Sequence, residues 1–204
     1  ASGLPVQFRN VIFQDLRANG PAPITLGEGD LICNRCSFFI NASGHSNTEQ
    51  AGAIYSHGGD VALINSHFFG NHSEISTNPD AGMIYSGHGS LAMVNSVAIA
   101  NGFHELNDTA LFNGTGSHQR FLIRNSTIVA NFNTAFKLAN STTSSLSLGH
   151  SIIAGASDVD IIDIEANFSS QGYNLLGNLS PLIQSKIQAS DTINIDLLDI
   201  FEER

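Results

Sequence analysis

The sequence predicts an all-β fold: a single-stranded parallel β-helix (a β-solenoid) of about six coils, with a C-terminal capping segment. Three observations lead to this prediction: a repeat of 25–30 residues, an alternation of apolar residues within each repeat, and a low charge content. Charged residues make up 13% of the 204 residues, about half of the roughly 25% found in average globular domains. The chain is therefore too poor in charge for a helical bundle.

The repeat is centred on an anchor residue that follows a short apolar strand. With Asn65 as the reference, equivalent segments are centred on Asn10, Arg35, Asn95, Asn125 and His150. Alternating apolar residues are typical of a strand, and units of this length leave no room for a normal helix between strands. Coils stacked about 4.8 Å apart would form one dry core. Its predicted side chains stand four and two residues before each anchor and three after it: Val6, Leu31, Val61, Leu91, Phe121, Leu146; Phe8, Cys33, Leu63, Met93, Ile123, Leu148; Phe13, Phe38, Phe68, Ala98, Ile128 and Ile153.

Two columns of asparagine are predicted to shape the corners of the coils. Asn adopts the left-handed conformation more readily than most residues, which suits it to a sharp bend. Stacked Asn amides also hydrogen-bond from one coil to the next. We therefore assign structural ladders to both columns: Asn65, Asn95 and Asn125 in the first, and Asn41, Asn71, Asn101 and Asn131 in the second.

The chain divides by charge into two parts of one domain. Residues 1–156 are predicted to form the parallel β-helix coils, and residues 157–204 an acidic C-terminal coil and capping segment. Within the second part, residues 179–189 predict a short helix, with Ser180 as its N-cap and Pro181 in its first turn, that covers the end of the core. No comparable cap is evident before Pro5, so the sequence leaves two alternatives: the chain is a fragment of a longer protein, or it stacks end to end at the N-terminal side.

One corner of the predicted coil collects acidic and histidine side chains. It would display Glu28, Asp30, His57, Asp60, His88 and His118. A bound cation would relieve the repulsion between stacked carboxylates; calcium suits Glu28, Asp30 and Asp60, whereas imidazoles suit a transition metal. The alternative is a polar turn without a site. We take Asp30, His57, Asp60, His88 and His118 as candidate binding residues and assign no catalytic residue.

Three further features leave alternatives open. Tyr55 and Tyr85 stack at equal positions in the repeat and would hold a sugar ring if they face outward, or belong to the core if they face inward. Cys33 and Cys36 are buried thiols, a local disulfide, or a metal or redox pair. The inserts 42–50, 72–80 and 102–108 leave one edge together and are either plain solvated loops or a second candidate binding surface, with His45, Glu49, His72, Glu74, Asp80, His104, Glu105 and Asp108.

Composition also excludes two classes of partner. The net charge of −10 would repel a phosphate backbone, so we expect no nucleic-acid partner. No stretch approaches the ~20 apolar residues of a membrane-spanning helix, so we expect no transmembrane segment.

The pieces N-S-x-F-x-x-N and G-A-I-Y, with S-Q-G-Y-N-L-L-G-N at 170–178 and A-S-D-T-I-N-I-D-L-L at 189–198, resemble bacterial right-handed parallel β-helix repeat proteins. These are surface proteins of the polymorphic outer-membrane, CSLREA and choice-of-anchor types. The resemblance implies a secreted or cell-surface structural or adhesive module that binds glycan or protein through loops on one edge. The alternative is a polysaccharide-active β-helix enzyme, a lyase or glycoside hydrolase. No cofactor is firmly predicted.

Overall fold

The chain folds as a parallel β-solenoid, as the sequence predicts. The computed structural model describes residues 4–44, 50–73, 81–102, 110–129, 134–138, 143–155 and 167–195. Coil by coil, the strands are β1 Val6–Arg9, β2 Ile12–Gln14, β3 Arg17–Ala18 and β4 Ile24–Leu26; β5 Leu31–Asn34, β6 Ser37–Phe39, β7 Ala42–Ser43 and β8 Ile54–Ser56; β9 Val61–Ile64, β10 His67–Phe69, β11 His72–Ser73 and β12 Ala81–Ser86; β13 Leu91–Val94, β14 Val97–Ile99 and β15 Ala110–Gly114; β16 Arg120–Arg124, β17 Thr127–Val129 and β18 Thr134–Leu138; β19 Ser145–Gly149 and β20 Ile152–Ala154; β21 Asn167–Ser170 and β22 Leu175–Leu176.

Equivalent strands of successive coils pair in parallel and in register. Sheet 1 contains β1, β5, β9, β13, β16, β19 and β21, and sheet 2 contains β2, β6, β10, β14, β17, β20 and β22. Sheet 3 contains β4, β8, β12, β15 and β18, and a small fourth sheet contains β3, β7 and β11. In the described residues, five coils therefore have a strand in each of sheets 1 to 3, slightly fewer than the six coils predicted.

The core is the predicted stack of apolar side chains. Leu63, Met93 and Ile123 are direct partners in sheet 1, and each is completely buried. Phe38 and Phe68, the middle residues of the paired strands β6 and β10, stack in parallel with ring centroids 4.5 Å apart. The first coil is less covered because β1, β2 and β4 are edge strands, and Val6 is 41% exposed. End-to-end stacking at this side stays a prediction.

The anchor column bends the chain through its backbone rather than through an amide ladder. Its residues share a left-handed φ between 49° and 57°; they are Asn10, Arg35, Asn65, Asn95, Asn125, His150 and, after β21, Tyr173. The predicted ladder, in which the side-chain amides of Asn65, Asn95 and Asn125 hydrogen-bond to one another, is wrong for the described contacts. The exposed Asn65 amide donates to Oδ1 of Asn34 at 3.4 Å, because a left-handed residue at an outer corner directs its side chain away from the stack.

The next residue of each repeat forms a hydroxyl ladder that the anchor-based analysis missed. The backbone N–H of Ser66 donates to Oγ of Ser96 at 3.0 Å, and that of Ser96 to Oγ of Ser126 at 3.2 Å. Cys36 precedes them, and its N–H donates to Oγ of Ser66. Ser151 follows them and accepts from Ser126. The recurrent Asn-Ser pair was the sequence signal for this ladder.

The second Asn column forms the predicted ladder. Nδ2 of Asn41 donates to Oδ1 of Asn71 at 2.8 Å, and Nδ2 of Asn71 donates to Oδ1 of Asn101 at 2.8 Å. All three side chains are fully buried. Asn131 lies outside the described residues. In this column the amides replace the backbone partners that a bend would otherwise leave unsatisfied.

The C-terminal segment covers the last coil, as predicted, but its helix is shorter. Helix α1 spans only Pro181–Gln184, and Ser180 makes no side-chain capping bond; its carbonyl accepts from Ile183 and Gln184. Leu179 and Ile183 are buried in the main core. No described helix is long and apolar enough to span a membrane.

Candidate functional site

The turns from sheet 3 to sheet 1 stack backbone on backbone. A Cβ at Gly59 would overlap the carbonyl oxygen of Gly29, and one at Gly89 would overlap that of Gly59. Glycine is required here because successive coils approach closely. In the first three of these turns, the side chains of Glu28, Asp30, His57, Asp60 and His88 are exposed. We call residues 27–30, 57–60, 87–90 and 115–120 the acidic corner.

The acidic corner brings together some of the predicted site residues. Nδ1 of His57 lies 3.3 Å from Oε1 of Glu28, and these side chains are 60% and 68% exposed. The His57 ring meets the His88 ring edge-on, with centroids 5.9 Å apart. His118 joins neither ring in the described contacts. Ser86 pairs with Gly114 and Leu91 with Phe121, so the last turn is two residues longer and His118 takes a left-handed φ of 68°.

Asp30 and Asp60 continue the corner along the edge of sheet 1. Oδ1 of Asp30 accepts the backbone N–H of Asp60 at 3.0 Å, and Oδ1 of Asp60 accepts that of Ser90 at 2.7 Å. Both aspartates are exposed. Arg120 ends the same column two coils beyond Asp60, because its strand pairs in register with that of Leu91. One oxygen of each carboxylate thus supports the stack.

Beside this column lies a groove of about 430 Å³ on the outer face of sheet 1. Its floor consists of four paired, half-buried apolar side chains: Ile32, Ala62, Ala92 and Leu122. Because two alanines stand between two larger side chains, the middle of the floor is recessed. Asp30, Asp60, Ser90 and Arg120 line one side of the groove.

The tyrosine pair belongs to the packing of sheet 3 rather than to an open platform. The rings of Tyr55 and Tyr85 stack with centroids 4.9 Å apart and 3° between their planes. Tyr85 is 1% exposed and packs against Ala22, Ala51 and Ala81. Its hydroxyl lies 2.6 Å from Oγ1 of Thr115. A buried ring cannot stack on a sugar, so Tyr85 does not serve the glycan role considered from sequence.

Cys33 and Cys36 are free thiols, and both are buried. Burial raises the pKa of Cys33, and the neighbouring Cys36 raises it further. Sγ of Cys36 lies 3.6 Å from the carbonyl oxygen of Phe8, where the serines of later coils place their hydroxyls. The pair therefore has the surroundings of structural thiols rather than of a reactive pair.

Among the described residues, no group of three or more His, Cys, Asp or Glu is placed to hold a metal ion. Glu28, Asp30 and Asp60 occupy the acidic corner without converging on one point. Of the predicted rim residues, His72 is half-buried, with Nδ1 3.3 Å from the carbonyl oxygen of Gly70. The others lie outside the described residues: His45, Glu49, Glu74, Asp80, His104, Glu105 and Asp108.

The groove was not identified from the sequence, although a signal for it exists. Between the core positions of sheet 1 an outer face should be polar, and Gln7, Ser147 and Ser169 meet that expectation. The four floor residues do not. No protein-family model matches this chain, and no curated protein sequence is significantly similar to it.

Proposed function

We propose that this chain is a recognition module, a secreted or cell-surface β-solenoid with a structural or adhesive role that binds a macromolecular partner along the groove. The observation that carries the proposal is the recessed apolar floor beside the Asp30–Arg120 column. When a partner covers apolar side chains on a solvent-facing strand, the removal of that surface from water stabilises the complex. A rigid stack of coils holds such a surface ready without ordering cost.

Binding is favoured over catalysis by the position of the carboxylates. A glycoside hydrolase needs two carboxyl groups that flank the scissile bond. Asp30 and Asp60 stand one above the other on the same side of the groove, and each has one oxygen committed to a backbone N–H. The extracellular location and the bacterial surface-protein class are supported by the closing pieces at 170–178 and 189–198.

The proposal is tested by filling the groove without touching the core. Ala92 faces outward, so Ala92→Leu should leave the fold intact while raising the recessed floor. We expect glycan-array or peptide-array ligands of the wild-type protein to be lost by Ala92→Leu. Ser147→Leu is the matched control, because Ser147 faces outward on the same sheet but does not line the groove. Ligands retained equally by both variants would contradict the proposal.

The enzyme alternative is tested separately with reducing-sugar and unsaturated-product assays on acidic and neutral polysaccharides. We expect no turnover. Turnover that Asp60→Ala abolishes would overturn the binding-only function and would make the acidic corner a catalytic site.

A further inference from the structure

We propose that the groove binds an extended protein segment of five residues. The first, third and fifth residues, which are basic, apolar and acidic in that order, face the groove, and the second and fourth face away from it. This inference rests on the proposed function and names its partner class. It follows from the order of charge and apolar surface along the solenoid axis.

The two ends of the groove carry opposite charge. Asp30 and Asp60 line the end nearer the N-terminal coil, and Glu28 lies in the adjoining turn. Arg120 lines the other end. Both aspartates and Arg120 are exposed. A partner complementary to this surface carries a cation at the first end and an anion at the second.

The spacing of the coils matches the spacing of side chains on an extended chain. Coils are about 4.8 Å apart, so the midpoint between Asp30 and Asp60 lies about 12 Å from Arg120. Residues i and i+4 of an extended segment are about 13 Å apart and point to the same side. Residue i+2 would then lie about 7 Å from residue i, over Ala92 in the recessed part of the floor.

A protein segment fits this surface better than a glycan does. The floor lacks the flat aromatic face on which sugar rings stack, since the stacked Tyr55 and Tyr85 lie on sheet 3. A branched aliphatic side chain, by contrast, fits between Ile32 and Leu122. The order basic, apolar, acidic therefore defines the proposed ligand, and a glycan is the alternative that the test must be able to detect.

The test uses the peptide acetyl-Lys-Ser-Leu-Ser-Glu-amide in an NMR titration of the whole chain. Because the contact is small and its ion pairs are exposed, we expect a Kd of about 0.1–1 mM. Replacing the peptide leucine with serine should weaken binding about tenfold. Replacing both charged residues with glutamine should weaken it about 2- to 30-fold, because exposed ion pairs contribute little each. Shifts should concentrate at Ala62, Ala92 and their neighbours.

Protein variants locate the contacts. Asp60→Asn keeps an oxygen acceptor for the N–H of Ser90 and removes only the charge, so it should weaken binding while the melting temperature holds. Arg120→Glu should prefer acetyl-Lys-Ser-Leu-Ser-Lys-amide to the original peptide. Ala92→Leu should abolish binding, and Ser147→Leu should not change it.

The outcomes separate this inference from the proposed function. The inference is overturned if the peptides with the serine or glutamine replacements bind as tightly as the original peptide. It is also overturned if Ala92→Leu has no effect on peptide binding. Absence of peptide binding together with a glycan-array signal that Ala92→Leu removes also overturns it, while the recognition function of the groove stands. Absence of any ligand sensitive to Ala92→Leu overturns both.

Discussion

Asn71→Ala offers the most direct test of how the coils are held together. The buried Asn71 side chain makes four hydrogen bonds: its Oδ1 accepts the backbone N–H and the Nδ2 of Asn41, and its Nδ2 donates to the carbonyl of Phe38 and to Oδ1 of Asn101. At a net 0.5–1.5 kcal/mol each, their loss should lower the free energy of unfolding by about 2–6 kcal/mol. We expect the upper half of this range because the Asn41 N–H is left buried without its acceptor.

The assay is urea unfolding followed by far-ultraviolet circular dichroism, with midpoint and m-value compared between variants. Asn65→Gly is the matched control, since Asn65 is exposed, makes one long hydrogen bond and has a left-handed φ of 52° that glycine adopts freely. It should cost less than about 1 kcal/mol. If Asn71→Ala destabilises the protein no more than Asn65→Gly, the ladder does not hold the coils together and the reasoning fails.

Three further predictions concern the cap, the acidic corner and metal binding. Asp191 is partly desolvated, which opposes its charge, but hydrogen bonds from Ser170, Asn174 and Gln188 outweigh this and lower its pKa below the ordinary 3.8. The contribution of Asp191 to stability should thus be complete above pH 3.8 and be lost as the pH falls through the lowered pKa. The difference in unfolding free energy between wild type and Asp191→Asn, measured by urea unfolding, should therefore shrink below about pH 4. A difference that stays constant with pH would contradict this. Gly89→Ala should destabilise by about 1–3 kcal/mol, because its Cβ overlaps the Gly59 carbonyl oxygen. Gly27→Ala, whose Cβ meets no atom within 4 Å, should be close to neutral in the same thermal melts, and equal losses would refute the close approach. Finally, because Asp30 and Asp60 each commit one carboxylate oxygen to a backbone N–H, we expect the melting temperatures with calcium and with EDTA to respond equally in wild type and Asp60→Asn. A rise with calcium that Asp60→Asn removes would restore the predicted site.

Closure of the C-terminal end shows how far sequence reasoning reaches. The segment 179–189 was expected to cover the core, and Leu179 and Ile183 do so. The hydrogen bonds that attach the following residues to the last coil were not predicted. Asp191 accepts the Ser170 hydroxyl at 2.6 Å and the Asn174 side chain at 3.0 Å. Ser170 and Asn174 stand 21 and 17 positions before Asp191, and no periodicity relates them to it, so only the folded chain could pair them.

The acidic corner was predictable in its chemistry but not in its shape. Repeat arithmetic placed Asp30 and Asp60 in one column, since equal spacing in a parallel stack guarantees vertical alignment. It also placed His118 at one corner with His57 and His88, but in the structure His118 joins neither ring, because the turn that carries it is two residues longer while the flanking strands stay in register. Turn lengths are not constrained by the core, so their side chains cannot be assigned by counting alone.

The sequence by itself determined the parallel stack, its register and its core, because a hydrophobic period repeated over many coils has one arrangement that buries all of the periodic apolar positions together. Tertiary structure decided which polar side chains serve the stack and which remain outside it. It assigned Asn71 to the interior and Asn65 to the surface, although both are asparagines at corners. It also formed the groove, because a recess depends on the relative size of side chains such as Ala92 and Leu122 that become neighbours only after the coils have closed.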